Sequence, residues 1–419
     1  MAGALYAIGL RVFLFGLNAA SILGHRKARQ SLTGRRGWPE RLSYAVQNAE
    51  KKRPGKWIHI HCASLGEFEQ GAPVMSALRE RVPDRPILLT FFSPSGVESV
   101  PANTADHVDY LPFDTAENMR LFHQILPASD TVLIKYELWP NLLESRLSEG
   151  AKIHLIAARF DANRHPANIW GRWIRKKMAR FTSVLVQDSA SAGVIAKFGI
   201  HAEVAGDPRM DRVRDTFHME PSQAIQAKLD QIAHWMGNRK MLVTGSVWPE
   251  EWKVLRKLIP RLSASGWCLL CAPHEVQGQT ARNWASESGF PRSTQYLDSP
   301  IPPSDGLILD EMGVLKHTYA LGHAAIVGGG WGSGVHNTLE PAVFGLPTAV
   351  GPNIGGFREI QSLQSIGALT VCPSPHEMIR TVDLWMSDAP PEKEGKAGAD
   401  WILDNLGAAK SIASRILNV

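Results

Sequence analysis

Short apolar runs of strand type recur along this chain, each followed by a stretch long enough for a helix. That alternation restricts the fold more than any other feature. A first series covers 57–63, 85–92, 107–114, 131–137, 151–158 and 183–188; a second covers 240–246, 267–273, 306–310, 324–330, 347–352 and 368–373. Strands alternating with helical patterns predict parallel sheets covered by helices on both faces. The rhythm pauses near 206–213, and 419 residues exceed what a single core usually serves. The expected organisation is α/β: a hydrophobic helix at 1–24, doubly wound domains at 25–206 and 207–396, and a final amphipathic helix at 397–419. On that last helix Ile402, Leu406, Ala409, Ala413 and Ile416 fall on one stripe.

In open α/β sheets ligands bind beyond the carboxyl ends of the strands, so the residues there carry the chemistry. The richest stretch is 324–357, AAIVGGGWGSGVHNTLEPAVFGLPTAVGPNIGGF, which reads as strand, glycine loop, helix, strand and second glycine loop. Gly329 and Gly330 let the backbone approach a ligand closely, and a helix beginning at Asn337 offers free N–H groups to an anion. Glu340 in its first turn is placed for ribose hydroxyls, and His336 and Asn337 for a phosphate or a base edge; Asn337 and Glu340 also fit a capping pair. Gly245 and Ser246 after another strand fit either a phosphate contact or an ordinary turn. His274 reads as a donor to a departing phosphate or as a hydrogen-bonded strand-end histidine, and Arg209 as a phosphate fork or a solvated hinge charge.

In the first series the sharpest element is 61–73, HCASLGEFEQGAP. Ser64 and Glu67 fit a capping box; equally, Glu67 fits a general base for an acceptor hydroxyl. Gly66 favours the second reading, because glycine in the first turn of a helix costs stability unless something approaches there. Lys135 and Glu137, expected to alternate on one face of a strand end, form either a buried ion pair or part of a site.

Residues 2–24 are apolar except for Arg11, Asn18 and Ser21, long enough to span a bilayer or to lie half-inserted in one. Nine basic residues and two acidic ones follow within 26–53, a composition suited to an anionic membrane surface or to a solvated face, with the rest of the chain on the cytoplasmic side. A net charge of +5 on this length does not point to nucleic acid. Four cysteines make no disulfide framework, and Cys268 and Cys271 sit in an apolar run as small hydrophobes. No His, Cys, Asp and Glu set has metal-ligand spacing, and no Walker-type loop is present, so neither metal nor cofactor is expected.

Together, the apolar helix, Gly34-Arg35-Arg36, Ala63-Ser64-Leu65-Gly66-Glu67, Phe91-Phe92-Ser93-Pro94-Ser95-Gly96, Tyr136-Glu137-Leu138-Trp139-Pro140-Asn141 and Val335-His336-Asn337-Thr338-Leu339-Glu340-Pro341 resemble the 3-deoxy-D-manno-octulosonic acid (Kdo) transferases of lipopolysaccharide synthesis. The resemblance implies a GT-B fold: two Rossmann-like domains with an interdomain cleft, acceptor-binding at 25–206 and nucleotide-sugar-binding at 207–396. It implies inverting transfer of Kdo from CMP-Kdo to the lipid A precursor (lipid IVA), with release of CMP, at the cytoplasmic face of the inner membrane. Glu67 would be the base and Glu137 a supporting group; the glycine loop, Asn337 and Glu340 would hold CMP, and Arg209 would face its phosphate. The chain departs from the common family pattern at Asp207-Pro208-Arg209, at Pro273-His274-Glu275 and at Gly330-Trp331. A UDP-sugar transferase or epimerase shares the glycine loop and the ribose glutamate, and a non-catalytic membrane scaffold shares the fold.

Overall fold

Strands apolar on both faces must be covered on both, and the apolar runs obey this. The computed structural model describes residues 2–418 apart from 102, 165, 168–170, 277, 297–298, 356 and 388–391. Gly356, in the second glycine loop, therefore lies outside the described residues. The chain forms two compact units, one of residues 1–212 with 406–419, the other of 213–405.

In the first unit the strands are β1 (Ile58–Cys62), β2 (Ile87–Phe91), β3 (His107–Tyr110), β4 (Asp130–Ile134), β5 (Lys152–Ala158), β6 (Ser183–Val186) and β7 (Glu203–Val204). Every pair is parallel, in the order β3-β2-β1-β4-β5-β6-β7. The winding reverses between β1 and β4, which pair from Ile58 opposite Asp130. The sequence reading misses β7, an exposed two-residue edge strand with no apolar run to announce it.

Several strands stop short of the apolar runs. β4 ends at Ile134, and Lys135 turns away in the left-handed region at φ 57°. Lys135 and Glu137 therefore belong to a turn, not to one face of a strand as expected. The C-terminal stripe is also split. Residues 397–419 are not one helix: Glu392–Asp404 and Ala408–Leu417 are separate, broken at Gly407 with φ 95°. The buried carboxylate of Asp211 accepts from the Gly407 and Ala409 N–H groups, at 2.8 Å each. Ile412, Ala413 and Ile416 then pack with Ile58, Ile60, Leu78 and Phe91 in the core of the first unit.

The basic segment divides in two. It folds as the helices Arg26–Gly34 and Trp38–Glu50. Arg26, Lys27, Arg29, Arg36, Lys51 and Lys52 are exposed. Arg35 instead is buried, donating to the Leu111 and Phe92 carbonyls at 2.7 Å among the rings of Phe92, Tyr110 and Phe113. Burial pushes its pKa down to about 10. Arg41 stays half-exposed but is engaged by the Asp109 carboxylate at 2.8 Å.

In the second unit β8 (Lys240–Val247), β9 (Trp267–Pro273), β10 (Gly306–Ile308), β11 (Ala324–Val327), β12 (Thr348–Val350) and β13 (Leu369–Val371) make a parallel sheet in the order β10-β9-β8-β11-β12-β13. Its winding reverses between β8 and β11. Both units are therefore doubly wound, and each has its own switch point.

Candidate active site

At the switch point of the first unit, β1 delivers Ser64, Gly66 and Glu67 on the first turn of the helix Leu65–Arg81. The capping box is not formed. Ser64, at the N-cap, accepts no backbone N–H; its hydroxyl donates to the Glu67 carboxylate. A side chain at Gly66 would meet only Ser64 Oγ, at 3.7 Å, so protein packing does not require glycine there.

Neighbouring β4 delivers Glu137. Its carboxylate accepts from the Trp139 indole N–H at 2.7 Å and lies 3.3 Å from His61 Nε2. His61 is fully buried on β1, with Nδ1 2.9 Å from the Thr90 hydroxyl. Trp139 stacks on Phe92 at 4.8 Å. Burial raises the Cys62 thiol pKa, and Glu67 and Glu137 add to the shift. Glu137 also lines a cavity of about 260 Å³ with Tyr6, Tyr136, Trp139 and Trp173. One carboxylate held by a hydroxyl and another held by an imidazole and an indole can take up and orient the proton of an incoming hydroxyl.

In the second unit the strand ends gather an aromatic surface. Trp248 stacks on His274 at 4.3 Å, His274 lies 4.6 Å from His336, and the Trp248 N–H donates to His336 Nε2 at 3.3 Å. Burial and then His274 lower the pKa of His336. Ser246 sits beside them in the left-handed region at φ 52°, a strained conformation for a residue with a side chain. Asn337 Nδ2 donates to Glu340 Oε1 at 3.1 Å, while Asn337 Oδ1 accepts from Leu339 N; Thr338, not Asn337, precedes the helix Leu339–Val343.

The glycine loop is held by Glu251. This buried carboxylate accepts from Gly329 N at 3.0 Å and Trp331 N at 3.3 Å through Oε1, and from Trp248 N at 3.2 Å through Oε2. Burial raises its pKa against the pull of those N–H groups. The glycines answer to the protein's own backbone: a side chain at Gly330 would run into Gly351, and one at Gly329 into Gly334. Backbone packing thus requires both glycines, and the Gly329 N–H is engaged by Glu251. Gly245 likewise leaves room for the Tyr319 hydroxyl.

The family profile described as 3-deoxy-D-manno-octulosonic-acid transferase (kdotransferase) matches residues 36–212. The 3-deoxy-D-manno-octulosonic acid transferase of Haemophilus influenzae is 26% identical over 378 residues, covering 86% of both chains. That of Bordetella pertussis is 26% identical over 322 residues, covering 72% of both. The chain is similar to the Kdo transferases over most of its length. The family is one of glycosyltransferases, and the fold agrees with its GT-B architecture. The UDP-GlcNAc 2-epimerase of Neisseria meningitidis, solved bound to UDP-GlcNAc, superposes with a TM-score of 0.60 over 87% of this chain and 98% of its own, at 11% identity, a likeness of fold alone.

The structure groups the residues singled out in the sequence into two sets. Ser64, Gly66, Glu67 and Glu137 gather at the first switch point, with Lys135 at the end of β4; Gly245, Ser246, His274, Gly329, Gly330, His336, Asn337 and Glu340 gather around the second. Arg209 joins neither set as drawn: it belongs to the first unit, and its guanidinium engages the Asp207 carboxylate at 2.6 Å. Sequence reasoning missed His61, Trp248 and Glu251. His61 looks like strand interior and Glu251 like a dipole-favoured first-turn acid. The only signal for Trp248 is its place two residues after Ser246.

Proposed function

We propose that this chain transfers Kdo from CMP-Kdo to the lipid A precursor (lipid IVA), releasing CMP with inversion at the anomeric carbon. The observation that carries the reading is Glu67, bonded by Ser64 beside the open Gly66, at the same switch point as Glu137. Glu67 takes the proton of the acceptor's primary hydroxyl. The alkoxide oxygen then bonds to the anomeric carbon of Kdo, and the bond to the phosphate breaks, its electron pair leaving with CMP. Glu137, fixed by His61 and Trp139, orients the acceptor. The surface of Trp248, His274 and His336, with Ser246, Asn337 and Glu340, receives CMP. No metal or cofactor enters this scheme.

The acceptor is a lipid, and the reading places the chain at the cytoplasmic face of the inner membrane. In support, the helix Ala2–Ile22 is apolar with none of residues 3–22 fully buried, and exposed Arg26, Lys27, Arg29 and Arg36 follow it.

The test is CMP release from CMP-Kdo with a tetra-acylated lipid A precursor, wild type beside Glu67→Ala. We expect turnover in the wild type and a loss of about 10²- to 10⁴-fold in a folded variant that still binds CMP. Full turnover in the variant would remove Glu67 from the chemistry. Absence of turnover with tight binding of a uridine nucleotide would instead favour a UDP-sugar transferase or epimerase.

A further inference from the structure

The helix Ala2–Ile22 is long enough to cross a bilayer, yet it is fastened sideways to the first unit. Tyr6 donates to the Asp114 carboxylate at 2.8 Å and its ring lies 6.1 Å from that of Trp173. One to two turns on, the Phe13 ring lies 6.2 Å from Phe92. The exposure pattern extends these contacts along the helix. Tyr6, Leu10, Leu14 and Leu17, spaced by three and four, are half-buried. Leu5, Ile8, Val12 and Phe15, with the same spacing but on the opposite side, are 70, 56, 66 and 77% exposed. Arg11 and Asn18 share a flank between the two faces.

A helix that crosses the bilayer would surround every face with lipid. Crossing would strip Tyr6, Leu10, Leu14 and Leu17 from their packing, break the Tyr6–Asp114 hydrogen bond and carry Arg11 to mid-helix depth, where a charge is costly. We propose that the helix does not cross but lies in the plane of an anionic phospholipid surface, immersed through Leu5, Ile8, Val12 and Phe15. Arg11 on the flank then stays at headgroup level. The exposed Arg26, Lys27 and Arg29 of the next helix, with Arg36 just beyond its end, complement the anionic headgroups, and this charge match selects a bilayer over an apolar protein partner. The inference rests on the membrane reading above and adds the depth and the face. It also joins anchor to chemistry, because Tyr6 on the packed side walls the cavity that holds Glu137.

The test uses the full chain on vesicles of phosphatidylcholine with phosphatidylglycerol. Single cysteines replace Leu5, Ile8, Val12 or Phe15 on one face and Arg11 on the flank, all exposed positions. The four native cysteines are buried, so labelling is confined to the new thiol. Depth-dependent quenching of an attached fluorophore should place the four apolar positions at one shallow level, roughly 5–10 Å below the headgroups, and position 11 above them. Depth that instead rises from position 5 to a maximum near 11 and 12, whatever the face, would show a spanning helix and overturn the proposal while leaving membrane binding intact. Failure of the unlabelled wild type to bind these vesicles would overturn the membrane reading itself, and the proposal with it.

Discussion

Glu67 owes its position to residues that do not themselves react. Gly66 is the clearest case. Its φ lies outside the left-handed region and a methyl group there would touch only Ser64 Oγ, so Gly66→Ala should fold as well as wild type and gain about 0.5–1 kcal/mol of helix stability. If the acceptor meets the helix there, the added methyl displaces it, and kcat/KM should fall on the order of 100-fold. Thermal unfolding beside steady-state kinetics checks this; unchanged kinetics would reduce the glycine to an accident of the helix.

Asp114 serves the same site from the other side. Its carboxylate accepts from Tyr6 and from the N–H groups of Asn141 and Leu142, at 2.8–3.0 Å, and so holds the start of the helix that follows Glu137. Burial raises its pKa to about 6 in spite of those donors. Because the folded value exceeds the unfolded one of about 3.9, the folded state binds the proton more tightly. The stability this group contributes is full below the unfolded value and lost as pH rises through the folded one. The advantage of wild type over Asp114→Asn should therefore shrink by up to about 3 kcal/mol between pH 4 and pH 7, measurable by urea unfolding.

At the scale of elements, the glycine loop and the helix Pro249–Ala264 act as one piece, because a single carboxylate of that helix gathers three N–H groups around Trp248. Glu251→Gln keeps one acceptor and turns an amide donor toward the Trp248 N–H or toward the loop. Losing a charge-assisted bond costs about 1.5–3 kcal/mol, so CMP affinity by calorimetry should fall at least about tenfold as the loop and the Trp248–His274 stack loosen. Unchanged affinity would separate the loop from nucleotide binding.

This element also shows what the sequence could and could not convey. The strands were legible because Ile58–Cys62 or Ala324–Val327 has no polar face to offer water. Their ends were not, since Lys135 and Glu137 continue a plausible β pattern that only the left-handed turn at Lys135 interrupts. Ser64 and Glu67 were legible as a pair, but not the direction of their hydrogen bond. Arg35 and Arg41 counted as membrane-facing charge because composition does not register a carbonyl or Asp109 brought from far along the chain. Gly329 and Gly330 stand out in the sequence, but the close backbone approach of Gly334 and Gly351 that requires them does not.

At the scale of the molecule, the two units are not consecutive in the chain, because 406–419 returns to complete the first. Ile412, Ala413 and Ile416 contribute to its core, and Asp211 fixes the start of their helix. A chain ending at Asn405 should lose cooperative unfolding of the first unit while the second unit still melts as a body. Calorimetry would resolve this as the disappearance of one transition, and two intact transitions would contradict it. Between emergence of residue 212 and of residue 419 a ribosome adding roughly 5–20 residues per second works for about 10–40 s. Through that interval the first unit waits with Ile58, Ile60 and Leu78 uncovered, while the second, complete at residue 405, has all of its residues before the first does. The order of maturation is thus reversed relative to synthesis: the half begun first, which holds Glu67, is completed last.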